Sequence, residues 1–70
     1  MPIALAPVNT TLRILKVLLG EKEKKHLESL GIMPNAEVTL SSSSNGGVIL
    51  IVKGVRLALD RSVASKILVA

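Results

Sequence analysis

A mainly β domain of five short strands, with one short helix after the first strand and a second helical turn before the last, is the architecture this sequence predicts. Three observations carry the prediction. Apolar residues alternate with polar ones in short runs over much of the chain, the period of half-buried strands. Lys53-Gly54 separates two apolar runs by two residues, as a tight hairpin requires. Residues 27–38, Leu-Glu-Ser-Leu-Gly-Ile-Met-Pro-Asn-Ala-Glu-Val, carry the signals that end a helix and start a strand.

Taken in order, Ile3 and Leu5 alternate with Ala4 and Ala6 before Pro7, which predicts a short extended arm along a sheet edge, where proline is tolerated. Residues 11–19 predict the first strand, with Leu12 and Ile14 facing the core and Thr11, Arg13, Leu15 and Val17 facing away. Beyond Lys16 the parity breaks, as at a bulge or a strand end. Gly20 then separates this strand from a helix over residues 21–30. Its acidic Glu21 and Glu23 suit the positive end of the helix dipole, and its thin core face consists of Leu27 and Leu30.

Gly31 fits the left-handed residue of a Schellman stop, which makes Leu30 the C-cap and brings Leu27 against Ile32. Pro34 blocks a return to helix. Met33-Pro34-Asn35-Ala36 suits a type II turn, because proline presets φ and asparagine tolerates the left-handed conformation. Ala36, Val38 and Leu40 then alternate with Glu37, Thr39 and Ser41 in a second strand.

Residues 41–47, Ser-Ser-Ser-Ser-Asn-Gly-Gly, read as a polar, flexible connection. No helix pattern follows them and no Gly-Lys-Ser/Thr completes a phosphate-binding loop. The hairpin around Lys53-Gly54 sets Val52 opposite Val55, Leu50 opposite Leu57 and Val48 opposite Leu59, all inward. Ile49, Ile51, Arg56 and Ala58 are then outward. Two isoleucines on the outer face of so small a sheet need a cover: another part of the chain, a second copy or a partner. Ile49, Ile51 and Arg56 are therefore the candidate partner-binding residues. Asp60 is placed to N-cap a short helix over residues 61–66 that buries Val63 and Ala64, and Ile67 and Val69 alternate with Leu68 in a final strand. The expected task of Leu27, Leu30, Gly31, Ile32, Pro34, Asn35 and Asp60 is structural.

A chain of 70 residues has room for one domain, residues 1–70. With 49% hydrophobic and 20% charged residues it is too apolar for disorder. Its longest apolar run, residues 48–52, is too short to cross a bilayer. The N-terminal Met-Pro-Ile-Ala-Leu-Ala-Pro lacks the basic and long apolar regions of a secretory signal, so the expected location is the cytoplasm. The absence of cysteine excludes disulfides and thiolate metal sites. His26, the single histidine, has neither a second histidine nor a cysteine to form a ligand set and is expected to be a half-exposed helical residue. No nucleophile pairs with a base, so no catalytic residue, metal ligand or cofactor is expected.

The net charge of +4 raises the question of an anionic partner. Lys22, Lys24 and Lys25 are interleaved with Glu21, Glu23 and Glu28, as on a solvated helix face, and no aromatic ring offers a stacking platform for bases. A nucleic-acid-binding module using Arg13, Lys53 and Arg56 is the alternative to a protein-interaction module. A titration in salt separates the two, because phosphate binding weakens steeply as salt rises.

Five short strands in this order can close as a small SH3-like barrel, which removes exposed edges. Residues 27–38, followed by Gly-Val-Arg-Leu-Ala-Leu-Asp-Arg-Ser-Val-Ala-Ser-Lys-Ile-Leu-Val from residues 54–69, closely resemble the FeoA family. This is the small cytosolic A protein of the bacterial ferrous iron transport system. Its pattern includes a Leu-Gly-hydrophobic-x-Pro-Gly turn and a late Ile/Leu-Ala-Leu-x-x-x-x-Ala-x-x-Ile-x-Val segment. Asn35 stands where the family usually has glycine, and His26 where an arginine commonly precedes the leucine. Related domains occur at the C-termini of metal-responsive repressors, and a chain of 70 residues starting at Met1 fits the free-standing member. The resemblance implies a non-enzymatic accessory factor, not embedded in the membrane, that binds the cytoplasmic GTP-binding domain of the membrane ferrous iron transporter. A homo-oligomer is compatible with it.

Overall fold

Five strands and two short helices follow a single 3-10 turn at Ile3–Leu5 in the computed structural model, which describes residues 1–70. They are β1 (Thr10–Val17), α1 (Glu21–Ser29), β2 (Glu37–Ser44), β3 (Gly47–Val52), β4 (Val55–Asp60), α2 (Arg61–Ala64) and β5 (Ile67–Val69). The strands form one antiparallel sheet in the order β4-β3-β2-β1-β5. The expected barrel is not closed by hydrogen bonds, because no ladder joins β4 to β5. Instead β4 runs directly into α2, which packs on β3, β4 and the N-terminal turn, and that turn packs on β5. Side-chain packing thus links the two edges where a ladder was expected.

Sixteen buried apolar residues form a single core, to which β1, β2, β3 and β5 contribute most. Leu12 and Ile14 face it as expected. The register shifts between Ile14 and Lys16, so Leu15 becomes the extra residue of a bulge and is 46% exposed. One inserted residue reverses the side-chain alternation, which turns Val17 inward instead of outward. The N-terminal arm is not extended. Its 3-10 turn drives Ile3 and Ala4 into the core and leaves Leu5 exposed, while the Pro2–Leu68 bridge and the Met1–Val69 backbone bonds hold it along β5.

The helix stop forms as the sequence specifies. The Ile32 N–H donates to the Leu27 carbonyl at 2.9 Å and the Gly31 N–H to Glu28 at 3.0 Å, the bond pair of a Schellman motif, with Gly31 at φ +93°. A Cβ on Gly31 would sit 2.9 Å from Val52 Cγ1, so the site excludes a side chain sterically as well. Leu27 and Ile32 are buried, but Leu30 is 37% exposed. The reversal at Gly31 turns the following chain toward the core, and Ile32 takes the place expected of Leu30. The Ala36 N–H donates to the Met33 carbonyl at 3.0 Å and Asn35 has φ +73°, completing the type II turn.

The serine run is mostly strand rather than loop. β2 continues to Ser44 and β3 begins at Gly47, leaving only Asn45-Gly46 between them. A register shift between Leu40 and Ser42 accommodates the extra residue. The Lys53-Gly54 hairpin has the expected register, from Val52 opposite Val55 to Val48 opposite Leu59, and positive φ at both turn residues. Val48, Leu50 and Val52 are buried, Leu57 and Leu59 are partly buried, and Val55 is 58% exposed instead of inward, because its edge strand has no neighbour on its far side.

α2 stops at Ala64, short of the expected Lys66, and Ala64 rather than the half-buried Val63 is its fully buried residue. Asp60 caps it: its carboxylate accepts from the Val63 N–H at 2.9 Å and from the Ser62 hydroxyl at 2.8 Å. Those bonds, the Val63 bond first, lower its pKa below the ordinary value of 3.8. A lowered folded-state value adds stability above the unfolded pKa and loses it as pH falls through the folded one. Asp60→Asn keeps a capping oxygen without the charge. The wild type is expected to melt higher than this variant at neutral pH, with the two converging in strong acid. A constant difference across a pH series of melts would contradict this.

Candidate functional site

The outer face of β2, β3 and β4 carries the residues that the sequence singles out for partner binding. Alternation along β3 sends Val48, Leu50 and Val52 inward and therefore Ile49 and Ile51 outward. The ladders place Ile51 between Thr39 of β2 and Arg56 of β4, and Ile49 between Ser42 and Ala58. Ile49, Ile51 and Arg56 are thus brought together on neighbouring ladder positions. Ile49 is 37% exposed, Ile51 is half-buried among its cross-strand neighbours, and Arg56 is exposed. Further along the same row, the Thr39 and Thr11 hydroxyls approach to 3.4 Å. Both helices and the N-terminal turn contribute to the core or its margins, so the two isoleucines remain an uncovered apolar strip.

A second concavity lies between α1 and the β4–α2 corner. It has a volume of about 590 Å³, with Leu19, Leu27, Leu59 and Val63 contributing apolar walls and Lys22, Glu23, His26 and Asp60 polar ones. This cleft was not legible in the sequence. Its walls come from three separated segments, and only the ends of α1 and β4, known once the sheet is ordered, show that they meet. A shallower hollow of about 350 Å³ is lined by Ser42, Ser44, Ile49, Ala58 and Asp60, among others, beside the β2–β3 turn.

His26 lies on the cleft wall, exposed, and no group of three or more His, Cys, Asp or Glu residues is arranged to hold a metal ion. Leu27, Gly31, Ile32, Pro34, Asn35 and Asp60 serve the helix stop, the turn and the α2 cap described above. The basic residues of the nucleic-acid alternative do not form a continuous track. Arg13 stands opposite Glu37 in the β1–β2 ladder, Arg56 is on the far edge strand and Lys53 is at a hairpin tip. No helix is long and apolar enough to cross a membrane.

A family model described as the FeoA domain matches residues 1–70. Comparison with curated proteins finds no match. Among solved structures, the crystal structure of an iron uptake regulatory protein (FeoA) superposes with a TM-score of 0.89 at 26% identity, covering 99% of this chain and 93% of that one. The solution structure of the FeoA protein from Chlorobium tepidum gives a TM-score of 0.88 at 17% identity, covering 99% of this chain and 68% of the other. The same fold recurs in T. acidophilum IdeR, with a TM-score of 0.85 at 21% identity, where the whole of this chain corresponds to 33% of the larger protein.

Proposed function

From the premise that the chain belongs to the FeoA family, we propose that it is a non-enzymatic accessory protein of ferrous iron uptake. It acts in the cytoplasm by binding and modulating the cytoplasmic GTP-binding part of the membrane iron transporter. Family membership implies involvement in ferrous iron transport. The uncovered Ile49–Ile51 strip beside Arg56 supports contact with a protein rather than chemistry on a small molecule. Apolar β-branched side chains on a rigid sheet bury area with little loss of conformational freedom, and a flanking arginine adds charge-assisted hydrogen bonds.

The test is binding of the purified protein to the isolated GTP-binding domain of the transporter. Ile51→Lys places a charge in the centre of the strip without touching the core, so it is expected to preserve the fold and weaken binding by about tenfold or more. Calorimetric titration with circular dichroism as the folding control reads both quantities. A folded Ile51→Lys variant that binds as well as the wild type would remove this face from the interface.

A further inference from the structure

We propose that the free edge of β4 pairs with the β4 of a second copy of this chain, giving a two-fold symmetric dimer in which the two sheets run on as one. β4 is the last strand of the sheet on its side and has β3 as its only neighbour. The two-residue turn at Lys53-Gly54 makes Val52 and Val55 a pair that exchanges backbone hydrogen bonds, so Val55, Leu57 and Leu59 bond to β3. The N–H and C=O groups of Arg56 and Ala58, and the Asp60 N–H, consequently point away from the sheet. None of them is used by the backbone bonds of the turns, loops and caps. α1 does not close this edge: the 590 Å³ cleft lies between its Lys22, Glu23 and His26 and the Ala58–Asp60 stretch.

The edge is self-complementary in one antiparallel register, centred on Ala58. There Ala58 exchanges hydrogen bonds with Ala58 of the other copy, and the Asp60 N–H reaches the Arg56 carbonyl across the axis. Arg56 and Asp60 are both exposed and share a face, so each Arg56 side chain stands directly opposite the other copy's Asp60. On the other face Leu57 meets Leu59, which covers two leucines that the monomer leaves partly exposed. Symmetry requires such a pairing to match itself, and the charge order of this strand does so twice. The inference does not depend on the proposed transporter contact: that contact uses the outer face of the sheet and this one the backbone of its edge, with the Arg56 side chain common to both.

Sedimentation of the wild type from micromolar to millimolar concentration is expected to show a reversible monomer–dimer equilibrium. Arg56→Glu sets like charges opposite each other at two symmetric positions and is expected to raise the dimer dissociation constant at least about tenfold. Ala58→Pro removes the central N–H donor and is expected to leave only monomer. If that variant does not fold, amide exchange decides in the wild type: the Ala58 and Asp60 amides are expected to slow as concentration rises. A monomer at every concentration overturns the proposal and leaves the edge to a strand of another protein. A dimer insensitive to Arg56→Glu, with those amides unprotected, overturns it equally.

Discussion

Gly47→Ala is expected to destabilise the domain by at least ~2 kcal/mol, because it combines an unfavourable backbone conformation with a clash that side-chain motion cannot relieve. Gly47 has φ +149°, and a Cβ at this position would lie 2.1 Å from the Leu59 carbonyl oxygen and 3.0 Å from Asp60 Cα. Both obstacles are backbone atoms, so β3 and β4 would have to separate where β4 passes into the α2 cap. Gly46→Ala is the control: Gly46 is absent from the positive-φ residues, and a Cβ there would approach only the Ser44 hydroxyl, at 3.9 Å. Urea titrations of the two variants should show a large loss of midpoint for Gly47→Ala and little change for Gly46→Ala. Equal midpoints would mean that the strands can part there freely.

Leu50→Ala is expected to cost about 2–5 kcal/mol, the range for emptying a fully buried leucine site. Leu50 is completely buried in the middle of β3, opposite Leu40 on one side and Leu57 on the other, so no neighbouring loop can collapse into the space. A core of this size commonly yields only about 3–5 kcal/mol of net stability, and the variant should therefore lose most of its cooperative thermal transition. Leu50→Met, which keeps the volume, is expected to cost less than about 1.5 kcal/mol. A cooperative melt for Leu50→Ala within a few degrees of the wild type would show that the core is larger or softer than the packing indicates.

The parts of the fold that were legible in the sequence are those fixed by local chemistry. Gly31, Pro34 and Asn35 each restrict the backbone by themselves, and the stop and turn formed as read. The Lys53-Gly54 hairpin was equally legible, since a two-residue turn leaves one register. Features that depend on distant segments were not. The serine run looked like a loop because a polar cluster beside Asn-Gly-Gly carries no apolar alternation, yet pairing with β3 holds it extended to Ser44. Val17 lies in the core instead of facing away, while Leu15 is exposed as expected, because the bulge is set by β5, from the other end of the chain. Ile3 and Ala4 gave no signal of their burial because a single 3-10 turn is too short to show a period. The outer-face residues followed directly from the hairpin register, whereas the cleft required knowledge of where α1 lies.

The ladder between β1 and β5, together with the backbone bonds between Met1 and Val69, joins the two ends of the chain. Strands β2, β3 and β4 are connected by two-residue turns, so their pairing closes very short loops, whereas the terminal seam closes almost the whole polypeptide. Loop-closure entropy therefore favours early pairing of the three-strand meander and late closure of the seam during folding, although the seam, with Ile14, Ile67 and Val69 fully buried, is well packed once formed. Ile49, Ile51, Arg56 and the β4 edge all belong to the meander, so the contact surfaces are built on the part of the sheet whose pairing closes the shortest loops.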